Sequence, residues 1–187
     1  EIFERPGFDG VVRIWSAGCS TGEEAYSLAM LVREYAEAHQ VEADVKVFAT
    51  DVDRVALERA SSGLYPEGIA ADVSPERLSR FFHREETGYR VVGSLRNMLV
   101  FAPQNLLTDP PFTRIDLVSC RNVLIYLEPA TQRKLLALFH FALRPGGFLF
   151  LGGAESVGDL VGGFSPVDVR SKLYRRNQGR VERDGQD

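Results

Sequence analysis

The apolar run at residues 11–17, VVRIWSA, is short, partly β-branched and stops at Gly18, a pattern that predicts a buried strand. Behind it Ala25, Leu28, Ala29, Leu31, Val32 and Tyr35 recur at helical spacing and predict a helix reaching about His39. Ser20 and Thr21 each stand three residues before a glutamate, Glu23 and Glu24, so either is a candidate N-cap in a capping box. Residues 44–51, DVKVFATD, repeat the strand pattern and end in Asp51. Residues 53–65 predict a second helix, halted near Gly63 and Pro66.

The pattern is less regular from Pro66 to Leu107. Ser74 followed by Pro75 opens a helix over 74–82. Residues 84–92 read as a turn and then a strand, and residues 97–107 as a strand entering a loop. Regularity returns with a strand and turn over 114–127. An amphipathic helix follows over 129–143, closed by Arg144-Pro145-Gly146-Gly147. A strand over 148–156 and a terminal strand or pair of strands over 164–177 complete the series. Strands and helices alternate on both sides of an irregular insertion, which predicts an α/β fold with a Rossmann-like, doubly wound, mostly parallel sheet. One domain is expected over 1–176, with the insertion at 66–100, and a polar, disordered tail over 177–187. Ligands of such sheets sit at the carboxyl ends of the strands. The segments to inspect are therefore Gly18 to Glu24, Asp51, Asn105 and Leu106, Arg121 and Asn122, and Gly152 to Glu155.

Composition narrows the function without naming it. The formal net charge of −4 supplies no positive field for nucleic acid or anionic lipid, and no apolar run is long enough to cross a membrane. Arg175, Arg176, Arg180 and Arg183 cluster near the end but read as a solvated tail. Cys19 and Cys120 have no metal-ligand spacing and read as small buried residues in a reducing cytoplasm. The first residue is Glu1, without a methionine, so the chain reads as a piece of something longer.

The loop Gly18-Cys19-Ser20-Thr21-Gly22 lacks both the G-x-G-x-x-G of dinucleotide folds and the Lys-Ser/Thr ending of a phosphate-binding loop. A helix N-terminus carries about half a positive charge and normally welcomes phosphate. Glu23 and Glu24 in its first turn offset that attraction and would repel a pyrophosphate. A cationic ligand such as S-adenosylmethionine, with a sulfonium, an ammonium and one carboxylate, suits them better. Glycine amides nearby would approach its methionine part, and Asp51 stands where an acid accepts bonds from ribose hydroxyls. Taken alone, each glutamate reads first as a helix-stabilising residue, and Asp51 is equally compatible with a nicotinamide dinucleotide. Gly18, the acidic turn and Asp51 together favour the methyl donor.

The stretches RIWSAGCSTGEEAYSLAM, VFATDVDRVALERA, FAPQNLL, DLVSCRNVLIYL and LRPGGFLFLGGAES resemble the CheR family, the chemotaxis-type protein-glutamate O-methyltransferases. The resemblance runs from about Arg13 to Tyr174. The stretch YPEGIAADVSPERLSRFF is most similar to copies embedded in multidomain signalling proteins. It implies a class I methyltransferase fold, with S-adenosylmethionine as cofactor and S-adenosylhomocysteine as product. Chemoreceptor-like proteins are the implied substrates. Glu24, with Glu23 beside it, would contact the methionine portion, Asp51 the ribose, and Asn105 and Leu106 the adenine. Gly18, Arg121 and Asn122 would line the cofactor pocket, and Arg121 and Tyr126 would serve the transfer site. Relatives also carry a helical N-terminal domain and a Phe-Phe-Arg motif, and nothing resembling that motif precedes residues 1–8, EIFERPGF. The insertion matches a small β-subdomain that in some relatives docks a receptor's C-terminal peptide. Its turn, residues 84–88, is short here, and no such docking is expected.

The implied reaction needs no general base, because a glutamate side chain with a pKa of about 4.3 is already ionised at neutral pH. His39, His83 and His140 are accordingly read as a helix-end residue, an exposed residue and a packing residue. Asp109-Pro110-Pro111-Phe112 resembles the Asp-Pro-Pro-aromatic motif of nitrogen methyltransferases, but it precedes the strand it should follow and reads as a stiffened loop. The alternative function is a non-catalytic module that binds the cofactor or its product. A nicotinamide-binding dehydrogenase is the weaker rival.

Overall fold

The computed structural model describes residues 1–158 and 163–178. Val11–Ala17 is strand β1, and Glu23–Ala38 is helix α1, which brings the chain back to β2, Asp44–Asp51. Helix α2, Arg54–Ser62, follows. The insertion then supplies β3 (Leu64–Tyr65), a 3-10 turn (Glu67–Ala71), α3 (Pro75–Phe81), β4 (Phe82–Glu85), β5 (Gly88–Val91) and α4 (Gly93–Arg96). The main sheet resumes with β6 (Leu99–Pro103) and β7 (Ile115–Cys120). A 3-10 turn (Leu124–Tyr126), α5 (Pro129–Ala142), β8 (Leu143–Leu151), β9 (Phe164–Asp168) and β10 (Leu173–Arg176) complete the described chain.

Seven strands form the main sheet in the order β6-β2-β1-β7-β8-β10-β9, and β3, β5 and β4 form a second, antiparallel sheet. β1 pairs in parallel with both β2 and β7, and the antiparallel pairings of this sheet are those of β10 with β8 and with β9. The strand order therefore reverses at β1: the chain builds outward through β2 to β6, then returns to β7 on the other side. A crevice opens at such a switch point because the loops after β1 and β7 leave in opposite directions.

Alternation along β1 sends Val12 and Ile14 into a core with α1, α2 and the insertion, and Trp15 and Ala17 into a second core with α5. Trp15 is wholly buried, meets Phe139 and Phe112 edge-on at centroid distances of 5.5 and 5.3 Å, and donates its Nε1–H to Thr50 Oγ1 at 2.9 Å. The Asp-Pro-Pro-Phe segment is thus structural, since Phe112 also stacks on Phe48 at 4.6 Å. His140 is buried against Phe164, His83 is exposed, and His39 caps the end of α1. At the amino ends of the strands Asp116 is buried, accepts from Arg13 N–H at 2.8 Å and pairs with Arg5 and Arg144 at 3.0 and 3.4 Å.

Three expectations are corrected. Helix α1 is capped by Gly22, in a left-handed conformation at φ 89°, and not by Ser20 or Thr21. Ser20 has its N–H drawn to Asp51, and the Thr21 hydroxyl donates to Glu23. The Arg144-Pro145-Gly146-Gly147 stretch does not follow the helix as a loop. It is the start of β8, where the six residues from Leu143 to Phe148 lie against only three of β7, Ile115 to Leu117, so the glycines accommodate a bulge. Residues 84–92 hold the end of one strand and all of the next, because β4 and β5 form a hairpin. The elements of the insertion run from Leu64 to Arg96, and the main sheet resumes at Leu99. The tail expected over 177–187 falls largely outside the described residues, as do Arg180 and Arg183.

The insertion is fastened to the main body by polar ties. Arg77 grips Glu34 of α1 with two bonds of 2.8 and 2.7 Å, and that guanidinium holds the Glu34 carboxyl below the usual carboxylate range. Tyr65 donates its hydroxyl to the Thr21 carbonyl at 2.8 Å, so the second sheet touches the loop after β1. Helix α2 has the stronger local cap: Asp53 Oδ1 accepts from Val55 and Ala56 N–H at 2.9 and 3.1 Å. Asp53→Ala is expected to lower unfolding stability by about 1 kcal/mol in urea titrations, the ordinary cost of a lost side-chain cap.

Candidate cofactor site

A cavity of about 690 Å³ lies across the carboxyl ends of β1, β2 and β7, within the size range of small-molecule sites. The nine residues assigned to the cofactor or the transfer site line it: Gly18, Glu23 and Glu24 after β1, Asp51 at the end of β2, Asn105 and Leu106 after β6, and Arg121, Asn122 and Tyr126 after β7; the segment from Gly152 to Glu155, also marked for inspection, does not.

The strand ends build the floor. Ser16 of β1 and Ser119 of β7 face each other in the parallel register, both wholly buried. Their hydroxyls donate to Glu24 Oε1 at 3.3 and 2.6 Å. Two hydroxyls rising from the sheet thus fix one oxygen of Glu24. Arg121 Nη1 lies 3.5 Å from the other, Oε2, and its guanidinium sits 4.8 Å above the Phe150 ring. Glu23 is exposed and bonded only to its neighbour Thr21, so Glu24 is the carboxylate that the fold aims inward.

The loop after β1 closes over the end of β2. Gly18 and Cys19 both donate their N–H groups to the Thr50 carbonyl, at 2.8 and 2.9 Å. Ser20 N–H goes to Asp51 Oδ2 at 2.8 Å, and Gly22 N–H to the Cys19 carbonyl at 2.9 Å. This corrects the expectation of bare glycine amides facing a ligand. The same four N–H groups are unavailable to a phosphate, which the acidic first turn already disfavours. Asp51 Oδ1 accepts from Asp53 N–H at 2.9 Å, so each Asp51 oxygen holds one backbone bond and keeps a second acceptor position.

Gly18 has a geometric reason. It is left-handed at φ 74°, and a Cβ there would stand 2.6 Å from Val123 Cγ2. The loops after β1 and β7 approach too closely for any side chain at this position. Asn105 is exposed, and its Oδ1 accepts from Leu107 N–H at 2.9 Å, which turns the chain so that Leu106 and Leu107 face the cavity. Tyr126 is 82% exposed at the mouth, with its ring free to meet an incoming group.

Sequence reasoning missed the apolar wall of Val52, Val123, Leu127 and Leu135, and it missed Gln104. Leu135 was visible only as one more apolar position of an amphipathic helix. The electrostatic character of the cavity is recorded by Cys19. Burial pushes its thiol up to about 12, and the carboxylates of Asp51, Glu24 and Glu23 push in the same direction. The thiol is therefore protonated at neutral pH. A pocket with two inward carboxylates, an apolar wall and a first loop that spends the N–H groups of Gly18, Cys19, Ser20 and Gly22 internally fits S-adenosylmethionine by its chemistry.

Comparison with known proteins gives the same direction. The profile of the family described as CheR methyltransferase, SAM binding domain, matches residues 4–173. An uncharacterized 104.1 kDa protein from Rhodobacter capsulatus is 45% identical over 164 residues, which cover 88% of this chain and 17% of that protein. Chemotaxis protein methyltransferase 1 of Pseudomonas aeruginosa is 39% identical, with 88% of this chain and 62% of the relative covered. The chemotaxis protein methyltransferase of Escherichia coli is 41% identical, with 81% and 54% covered. The chain thus spans little more than half the length of those two methyltransferases. Among solved structures, a TehB-like SAM-dependent methyltransferase from Corynebacterium glutamicum superposes with a TM-score of 0.50 at 17% identity, covering 88% of this chain and 78% of that one. That likeness concerns the fold alone.

Proposed function

The chain belongs to the CheR methyltransferase family, and from that premise we propose that it binds S-adenosylmethionine between β1, β2 and β7 and directs methyl transfer to glutamate side chains of chemoreceptor-like proteins. The observation that carries this reading is the pair of inward carboxylates, Glu24 and Asp51, beside a loop in which the N–H groups of Gly18, Cys19, Ser20 and Gly22 are already bonded. When bound, the cofactor supplies a methyl group on a positively charged sulfur.

Glu24, held from below by two serine hydroxyls, takes the cofactor's ammonium. Asp51 takes the ribose hydroxyls with its remaining acceptor positions. Asn105 and Leu106 flank the adenine, and Asn122 completes the pocket beside Gly18. Arg121 and Tyr126 stand on the turn after β7, at the mouth, where an incoming carboxylate meets them first. Arg121 draws that carboxylate in by a charge-assisted pair, and Tyr126 orients it. Bound there, the cofactor would offer its methyl group to that carboxylate, and Arg121 and Tyr126 would hold the carboxylate in line with it. No proton moves, so the residues act by alignment and by excluding water. The described residues include no helix long and apolar enough to cross a membrane. Both thiols are free and buried, and we place the protein in the cytoplasm.

The test compares wild type with Asp51→Ala. Calorimetry with S-adenosylhomocysteine is expected to show binding that weakens by about tenfold or more in the variant, which loses ribose acceptors and the anchor of Ser20. Nicotinamide adenine dinucleotide is expected to give no heat with either protein. Methyl transfer to acidic, receptor-like helical peptides should fall in parallel. A wild-type rate no faster than that of Asp51→Ala overturns the catalytic reading and leaves a binding module.

A further inference from the structure

We propose that Glu155 is a positioning residue that sets the turn carrying Arg121, Asn122 and Tyr126. It rests on the cofactor reading given above and deepens it. Glu155 leaves the sheet just after β8, is only 4% exposed and makes no ion pair among the described residues. Its partners are backbone N–H groups. Oε2 accepts from Gly152 at 2.6 Å and from Asn122 at 3.1 Å. Oε1 accepts from Leu124 at 2.8 Å and from Ile125 at 3.4 Å.

Three of these four donors belong to the turn after β7. Leu124 and Ile125 open the 3-10 turn Leu124–Tyr126, whose local N-cap residue, Val123, supplies no side-chain cap. The cap comes instead from the neighbouring strand's end. Asn122 sits at φ 59°, a left-handed conformation that costs a non-glycine residue energy and persists where the surroundings impose it. The bond from Asn122 N–H to Glu155 is such an imposition. Gly152 seals the arrangement: a Cβ there would lie 2.4 Å from Asn122 Oδ1 and 2.7 Å from Glu155 Oε2.

The chemistry of the side chain is specific. Four N–H groups converge on two oxygens, and among side chains only a carboxylate offers that many acceptor positions without a donor of its own. Glutamine has the same shape but turns one end into an NH2 group that faces N–H groups. Glu155→Gln is therefore expected to release the turn and leave the sheet in place.

The test uses the full chain and S-adenosylhomocysteine as probe. In Glu155→Gln, amide exchange at Asn122, Leu124 and Ile125 should accelerate at least tenfold while exchange within β1 and β2 is unchanged. Affinity for the probe should fall at least tenfold, because Asn122 and Arg121 lose their places. Asp116→Asn disturbs an equally buried carboxylate at the opposite end of the sheet and is expected to lower stability while binding the probe within threefold of wild type. Glu155→Asp keeps the charge but withdraws it by one methylene, and should fold with an intermediate loss of affinity even if the glutamine variant does not. Probe affinity unchanged within threefold in both Glu155 variants overturns the proposal and leaves the cofactor site standing. An equal loss in Asp116→Asn also overturns it, because stability alone would then explain the effect. Absence of probe binding by wild type overturns the cofactor reading, and this proposal with it.

Discussion

Glu24→Gln is expected to weaken S-adenosylhomocysteine binding by roughly tenfold to a hundredfold, the value of one hydrogen bond to a charged partner. The substitution isolates charge. Glutamine retains an oxygen that can accept from Ser119 and Ser16, whose wholly buried hydroxyls alanine would leave without a partner. Loss of affinity in Glu24→Gln therefore reports attraction for the ligand's ammonium and not collapse of the floor. Calorimetry at two salt concentrations checks it. The site is partly sheltered, so the difference between wild type and variant should survive an increase from 0.05 to about 0.5 M salt better than a surface pair would. The matching change at Glu23, Glu23→Gln, should cost less than threefold, since that carboxylate is exposed and bonded to Thr21 alone. Equal affinity of Glu24→Gln and wild type would remove the ammonium from Glu24 and with it the electrostatic reason for an acidic helix start.

The residues that were legible in the sequence are those whose type carries its own reason. A glycine at the end of an apolar strand, an acid at the end of the next, and two glutamates opening a helix each constrain a ligand before any coordinates are known. Gly18, Glu24 and Asp51 accordingly meet in one cavity. The illegible parts depend on neighbours distant in sequence. Ser16 and Ser119 are small polar residues near the ends of largely apolar strands, and their meaning appears only when the parallel register sets them side by side beneath Glu24. Glu155 follows its strand as any loop acid might, and nothing local says that its four donors include three from residues some thirty positions earlier. Ser20 loses the capping role that its spacing from Glu23 suggests because Asp51, brought in by β2, competes for its backbone. Pro145 and the two glycines after it carry the composition of a helix stop and a loop. They form a bulge because β7 lies alongside and supplies the pairing.

Trp15→Ala is expected to cost about 3–5 kcal/mol of unfolding stability, the usual range for a fully buried large aromatic. Two terms add at this position. The indole fills the space between Phe139 and Phe112, so its removal leaves a cavity bounded by a strand, a helix and a proline-stiffened loop that cannot all collapse together. Thr50 Oγ1 also loses its donor in the interior. Thr50 is the residue whose carbonyl holds Gly18 and Cys19, so the disturbance reaches the loop that frames the cofactor cavity. Trp15→Phe separates the terms: a ring remains, the N–H is gone, and the expected loss is about 1–2 kcal/mol. Urea unfolding followed by far-UV circular dichroism measures both, since Trp15 is the only tryptophan and intrinsic fluorescence disappears with it. Repeating each titration at a hundredfold excess of S-adenosylhomocysteine over its dissociation constant should add about 2.7 kcal/mol to any protein with an intact site. Trp15→Phe is expected to receive that full increment, and Trp15→Ala a smaller one at the same ligand concentration. A full increment in Trp15→Ala would mean that the core beneath β1 and the loop above it are independent, and that Thr50 does not couple them.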